Sequence, residues 1–165
     1  MTIPLKTQEF DEDFDIKMMK IALKLARKSE SLGEVPIGAL IVDRNGSVIS
    51  KATNLRETRC TVLGHAELAA IHRAGTKLNS WRLNDCRLYV TLEPCFMCAA
   101  ALVQSRISRV VFGALDPKGG ALVSLANMGN DERFNHRFVV TGGVLENECS
   151  KILKAFFKGK RAYKK

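Results

Sequence analysis

The chain has 165 residues, 46% of them apolar and 26% charged, which is the balance of one globular domain with a single core and excludes a disordered or collagen-like polymer. Its longest uncharged apolar run, 96–103, is far short of the about 20 residues that cross a bilayer, and the acidic stretch 9–15 is the wrong chemistry for a signal or transit peptide; a cytoplasmic protein with no membrane partner is expected. The formal net charge of +9 is weighted toward residues 151–165, where Lys151, Lys154, Lys158, Lys160, Arg161, Lys164 and Lys165 stand without one acid, a pattern that suits either a polyanion such as nucleic acid or a solvated basic tail from about 158.

Acids at 11–15 accompany Phe14, Met18, Met19, Ala22, Leu25 and Ala26, whose three- and four-residue steps predict an amphipathic helix with negative charge at its N-terminal end. Ser31-Leu32-Gly33-Glu34 stops it, and 37–42 reads as a buried strand. Asn45-Gly46 is a hairpin signal, so 48–53 returns antiparallel. After a loop over 54–64, residues 65–74 read as a second helix ended by Gly75. Residues 88–92 form a third strand, Pro94 opens a helix running through Val103, and 109–113 form a fourth strand. Strand, helix and strand make a βαβ unit, which requires a parallel pair with a right-handed crossover. A short fifth strand at 138–141 precedes a last amphipathic helix over 146–160, built on Cys149, Ile152, Leu153, Phe156 and Phe157. The sum is a single α/β domain over 1–165, a mixed sheet covered by helices, with no internal repeat and no linker.

Five cysteines are an odd count outside any small secreted framework, so reduced thiols are expected, with Cys60, Cys86 and Cys149 as packing residues. Cys95 and Cys98 differ. Three apart at a predicted helix start, they point to one side at roughly 5–6 Å between Cβ atoms. Two thiolates so placed can share a zinc ion at about 2.3 Å each, and the helix dipole favours the thiolate form. His65, at the start of the other helix, is the best third ligand. One histidine and two cysteines leave the fourth position open for water, as catalytic zinc sites require. Glu67 can reach that position as a proton shuttle provided that His65 lies at the loop–helix junction, because spacing of two within a helix sends side chains apart. Taken singly, C-x-x-C could be a redox pair and H-x-E a surface helix start. Together and in this order they match the zinc deaminase signature.

Gly64-His65-Ala66-Glu67-Leu68, the run from Tyr89 through Pro94-Cys95-Phe96-Met97-Cys98 to Ala99, Ser105-Arg106-Ile107, and the run from Val110 to Ala114 with Asp116, Gly120 and Phe134-Asn135-His136 resemble the bacterial tRNA-specific adenosine deaminases. The resemblance runs from about Met18 to Phe157. It implies a three-layer α/β/α cytidine-deaminase-like fold with a central mixed five-stranded sheet, one zinc per subunit, a homodimer, and conversion of adenosine to inosine at the wobble position of a tRNA anticodon stem-loop. It also implies that Glu67 is the catalytic acid–base group, that the Ala66 and Cys95 backbone N–H groups face the reacting base, and that Asn54 faces the flipped base. Asp116 corresponds to the acid near the target sugar, Asn135 lies on the substrate side, and Phe156 and Phe157 correspond to aromatics near the anticodon, with core packing as their alternative. His136 stands for either an RNA contact or a structural role, and His72 for a solvated residue. Thr61-Val62-Leu63-Gly64 departs from the Asp-Pro-Thr-Ala common in relatives, which keeps two alternatives open: a deaminase of a free base or nucleotide (guanine, cytidine or deoxycytidylate), and a non-catalytic zinc-stabilised RNA-binding module.

Overall fold

A computed structural model describes residues 11–162; the expectations for the first ten residues and for Lys164 and Lys165 lie outside them. Helix α1 spans Glu12–Ser31. Its start is set by Asp11, whose carboxylate accepts the Asp13 and Phe14 backbone N–H groups at 3.0 and 3.3 Å, satisfying donors that the first turn cannot pair. Strands β1 (Gly38–Val42) and β2 (Val48–Thr53) form the expected hairpin, in which Asp43 accepts from the Asn45 and Ser47 N–H groups. There follow α2 (Ala66–Leu78), β3 (Arg87–Leu92), α3 (Phe96–Gln104), β4 (Arg109–Ala114), a 3-10 turn at Met128–Asn130, β5 (Val139–Thr141) and α4 (Glu146–Ala162).

The strand order is β2-β1-β3-β4-β5, with β1 antiparallel to both neighbours and β3, β4 and β5 parallel. Side chains alternate across this sheet as strand geometry demands. Ala39, Ile41, Leu88, Val90, Val110 and Phe112 point into one core with α2 and α3; Leu40, Val42, Tyr89 and Val111 point into the other, where Met18, Met19, Ala22 and Leu23 of α1 and Cys149 of α4 cover them. The result is the three-layer arrangement expected. At Gly113 a Cβ would stand 2.3 Å from the Cys149 sulfur, so only glycine lets α4 lie this close to β4. A buried ion pair crosses the second layer: Arg109 holds Asp15 through Nη1 and Nη2 at 2.9 and 2.7 Å, and the Tyr89 hydroxyl donates to Asp15 at 2.7 Å.

Several boundaries differ from expectation. Helix α2 does not end at Gly75. It continues to Leu78 and is closed by Asn79 in the left-handed region, a conformation that asparagine tolerates. Pro94 lies outside α3, because its carbonyl accepts the Ala121 N–H at 2.9 Å and Cys95 is still extended, bridging to Gly120. Phe138 precedes β5 and is buried in the first core. The basic stretch from 158 is helical through Ala162 and is no free tail over those residues. Cys86 and Cys149 are buried as expected, whereas Cys60 is exposed, in a left-handed turn.

Candidate active site

The two helices that follow β2 and β3 begin side by side, and each begins on a ligand-type residue. His65 is the N-cap of α2, with φ −72° and ψ 143°, and its ring makes no capping hydrogen bond. This extended backbone satisfies the proviso that sequence spacing left open: with His65 outside the helix and Glu67 in its first turn, both side chains reach the same space. Cys95 is likewise the N-cap of α3, and Cys98 sits in that helix's first turn, fully buried.

The His65 Nδ1 atom lies 3.7 Å from the Cys95 sulfur and 3.5 Å from the Cys98 sulfur, and all three donor atoms fall within 4.8 Å of one another. Tetrahedral zinc with ordinary Zn–S and Zn–N bonds requires S···N edges of about 3.6 Å. Both S···N edges therefore fit that ion. They also fix Nδ1 as the ligand atom, leaving the ring proton on Nε2. Among the described residues His65, Cys95 and Cys98 are the one such donor group; exposed Cys60 is no part of it, so the fourth corner of the tetrahedron has no protein ligand among them.

Protons are unequally shared within the triangle. The Cys98 thiol, then His65, hold Cys95 down at about 4, while its contact with Cys95, together with burial, pushes Cys98 up. His65 is raised, first by its contact with Cys95. A divalent cation replaces those shared protons with one charge that suits all three donors.

Glu67 is 4% exposed, and burial pushes its carboxyl up to about 7, against the opposing pull of its own backbone N–H and of His65. A carboxyl poised there exchanges protons in either direction near neutral pH. At the starts of α2 and α3 the first backbone N–H groups have no acceptor within their own helix. Ala66 and the N-cap Cys95 stand at those positions.

The remaining expected residues are placed more variously. Asn54 is buried just past β2, its Nδ2 donating to the Val35 carbonyl at 3.3 Å and its own carbonyl accepting from Ser29 at 2.8 Å. Asp116 follows β4 and accepts the Lys118 and Gly119 N–H groups at 3.1 Å each. Asn135 accepts from the Arg106 guanidinium at 2.9 Å, and His136 Nε2 lies 2.6 Å from the Ile107 carbonyl, so both tie the 130s loop to the end of α3. Phe156 and Phe157 meet edge to face at 5.4 Å; Phe156 is half-buried under the Lys160 ammonium, while Phe157 is 45% exposed. His72 is exposed.

Two buried carboxylates flank the site, and the sequence reading assigned neither of them a role. Glu34 accepts the Glu57 and Thr58 N–H groups, bracing the loop that leads to His65; burial raises its carboxyl, but those bonds outweigh burial and leave it lowered. Glu93 does the same for the loop beyond β4, with the same sign. The one available clue was an acid at the end of a hydrophobic strand, directly before Pro94.

Comparison with known proteins agrees with this geometry. The family model of the MafB19-like deaminases matches residues 13–161. The tRNA-specific adenosine deaminase of Bacillus subtilis is 54% identical over 147 residues, covering 89% of this chain and 91% of that one, and that of Haemophilus influenzae is 46% identical over 153 residues, covering 93% and 88%. A solved structure from a study of A-to-I editing by tRNA:A34 deaminases superposes with a TM-score of 0.79 at 42% identity, covering 83% of this chain and 99% of that one. Carrying a deaminase-type His/Cys/Cys triangle in a deaminase fold, and sharing about half its residues with these relatives over most of its length, the chain belongs to the tRNA-specific adenosine deaminase family.

Proposed function

We propose that this protein hydrolyses the wobble adenosine of a tRNA anticodon to inosine, releasing ammonia. The observation that carries the reading is the placement of Glu67 beside the triangle of His65, Cys95 and Cys98, joined to the family's named activity. His65 Nδ1 and the two sulfurs would hold one zinc per chain. When bound, that ion supplies Lewis acidity, which makes water a competent nucleophile near neutral pH.

The chain's own groups account for the rest. The Glu67 carboxylate takes one proton from the attacking water and delivers it to the adjacent ring nitrogen as C6 becomes tetrahedral; it then takes the remaining proton from the new C6 hydroxyl and passes it to the amino group, so that the C6–N bond breaks, the carbonyl forms, one water is consumed and one ammonia leaves. The Ala66 and Cys95 N–H groups orient the base edge and the developing oxygen at C6. Asn54 and Asp116 position the base and its sugar, and Asn135 shapes the substrate side. An anticodon nucleotide is already unpaired, so turning it out costs little. Along α4, Lys151, Lys154 and Lys158 line a groove of about 390 Å³ that suits phosphate, with Phe157 outward for stacking on a base. The protein acts as a homodimer in the cytoplasm, where its substrate is.

Zinc-loaded protein incubated with a tRNA bearing a wobble adenosine should yield inosine at that position. Conversion of free guanine, cytidine or deoxycytidylate without inosine in the tRNA would favour a small-molecule deaminase. Tight binding of RNA with no product from either would favour a binding module.

A further inference from the structure

We propose that Glu93 is a positioning residue for the target nucleotide: its buried carboxylate fixes the loop over 115–125 against the metal-binding segment and so sets where Asp116 stands. The inference rests on the chain's reading as a tRNA deaminase and deepens it.

Glu93 follows β3, two residues before Cys95, and is 2% exposed. Its Oε1 accepts the backbone N–H groups of Leu122, Val123 and Ser124 at 3.1, 2.7 and 2.9 Å, and its Oε2 accepts the Asp116 N–H at 3.0 Å and the Ser124 hydroxyl at 2.5 Å. One carboxylate thus gathers both ends of a single loop. All five partners are donors, which an acceptor-only group satisfies and an amide does not.

Other forces hold only part of this loop. Ala121 and Leu122 are buried in the core, and the Gly120–Cys95 bridge ties the loop's middle to the ligand segment. Leu115, Val123 and Leu125 face outward at 44%, 57% and 54% exposure, so apolar burial does not orient the loop's ends. Asp116 receives its orientation from two sources: Glu93 grips its backbone N–H, and the Lys118 and Gly119 N–H groups brace its carboxylate. Gly120 shows how closely the two parts meet, since a Cβ there would lie 2.2 Å from the Glu93 carboxyl.

The test is steady-state kinetics of the zinc-loaded full chain on tRNA with a wobble adenosine, alongside zinc content. Glu93→Gln sets an NH₂ group against N–H donors; the expected result is KM raised about tenfold or more, kcat within about threefold of wild type, and zinc at wild-type stoichiometry. Ser124→Ala should raise KM by about threefold and add little on top of Glu93→Gln, because both act on one contact. Gly120→Ala, which pushes the loop off from the other side, should reproduce the KM-dominated pattern. Should Glu93→Gln not fold, Ser124→Ala and Gly120→Ala carry the test. Unchanged KM in the folded variants, a loss confined to kcat, or loss of zinc would overturn the inference. A wild-type chain that makes no inosine strikes the tRNA reading instead, whereas an active wild type with unaltered variants strikes only the role of Glu93.

Discussion

Glu67 shows how much turns on a single backbone conformation. Two residues after a helical histidine its carboxylate would face away, but His65 is an extended N-cap, and Glu67 therefore shares the ligands' space. The spacing H-x-E and C-x-x-C was readable as metal chemistry, and with it the meeting of the two helix starts; the extended backbone of His65 that brings Glu67 in beside them stood only as a proviso, because spacing alone does not fix a cap. Glu67→Gln should keep one zinc per chain and lower turnover by about 10²–10⁴. Metal analysis beside a single-turnover assay checks this, and near-normal turnover would move the proton transfer to another group. Cys98→Ser, by contrast, should lose the metal, since a buried hydroxyl replaces a thiolate ligand, and mass spectrometry of the native protein reads the difference directly.

At the scale of elements, periodicity located each α-helix and strand of the described chain within a few residues; the 3-10 turn at Met128–Asn130 was missed whole, and the other misses lie at ends. Gly75 read as a stop because glycine is a poor helix former, yet Ala70 and Ala74 pack that turn into the core and Asn79 supplies the left-handed cap. Pro94 read as a helical first residue, but its carbonyl is engaged by Ala121, a partner far along the chain. The bracing acids Glu34 and Glu93 escaped for the same reason: their partners are loop N–H groups 23 to 31 positions away. Glu34 carries a pH prediction. Its folded carboxyl lies below the ordinary value of 4.5, so its stabilising bonds are fully present above that pH and are lost as pH falls through the folded value. The stability advantage of wild type over Glu34→Gln, measured by thermal melting, should therefore be constant near neutrality and shrink below about pH 4.5. A gap that widens in acid would contradict the assignment.

Across the whole molecule, the layers are joined by groups that sequence patterning treats as surface charge. Asp15 sits in an acidic helix start and Arg109 opens a strand, and neither looks like a core residue until α1 is laid over β3 and β4. Arg109→Ala leaves Asp15 buried without its charged partner, held only by the Tyr89 hydroxyl, and should cost about 3–5 kcal/mol, seen as a lowered denaturation midpoint. Charge itself was legible, because the lysines of α4 fall on an exposed face of a helix whose other face holds Cys149 and Leu153 in the core. Binding of tRNA should weaken steeply with added salt, and Lys154→Ala with Lys158→Ala should reduce the slope of that dependence by about two.

The proposed reaction acts on a base held in RNA. Its most direct measurement is sequencing or nucleoside analysis of a tRNA with a wobble adenosine after incubation with the zinc-loaded chain. Inosine should appear at that position, with no conversion of free guanine, cytidine or deoxycytidylate. Unmodified tRNA together with deamination of a free base or nucleotide would contradict it.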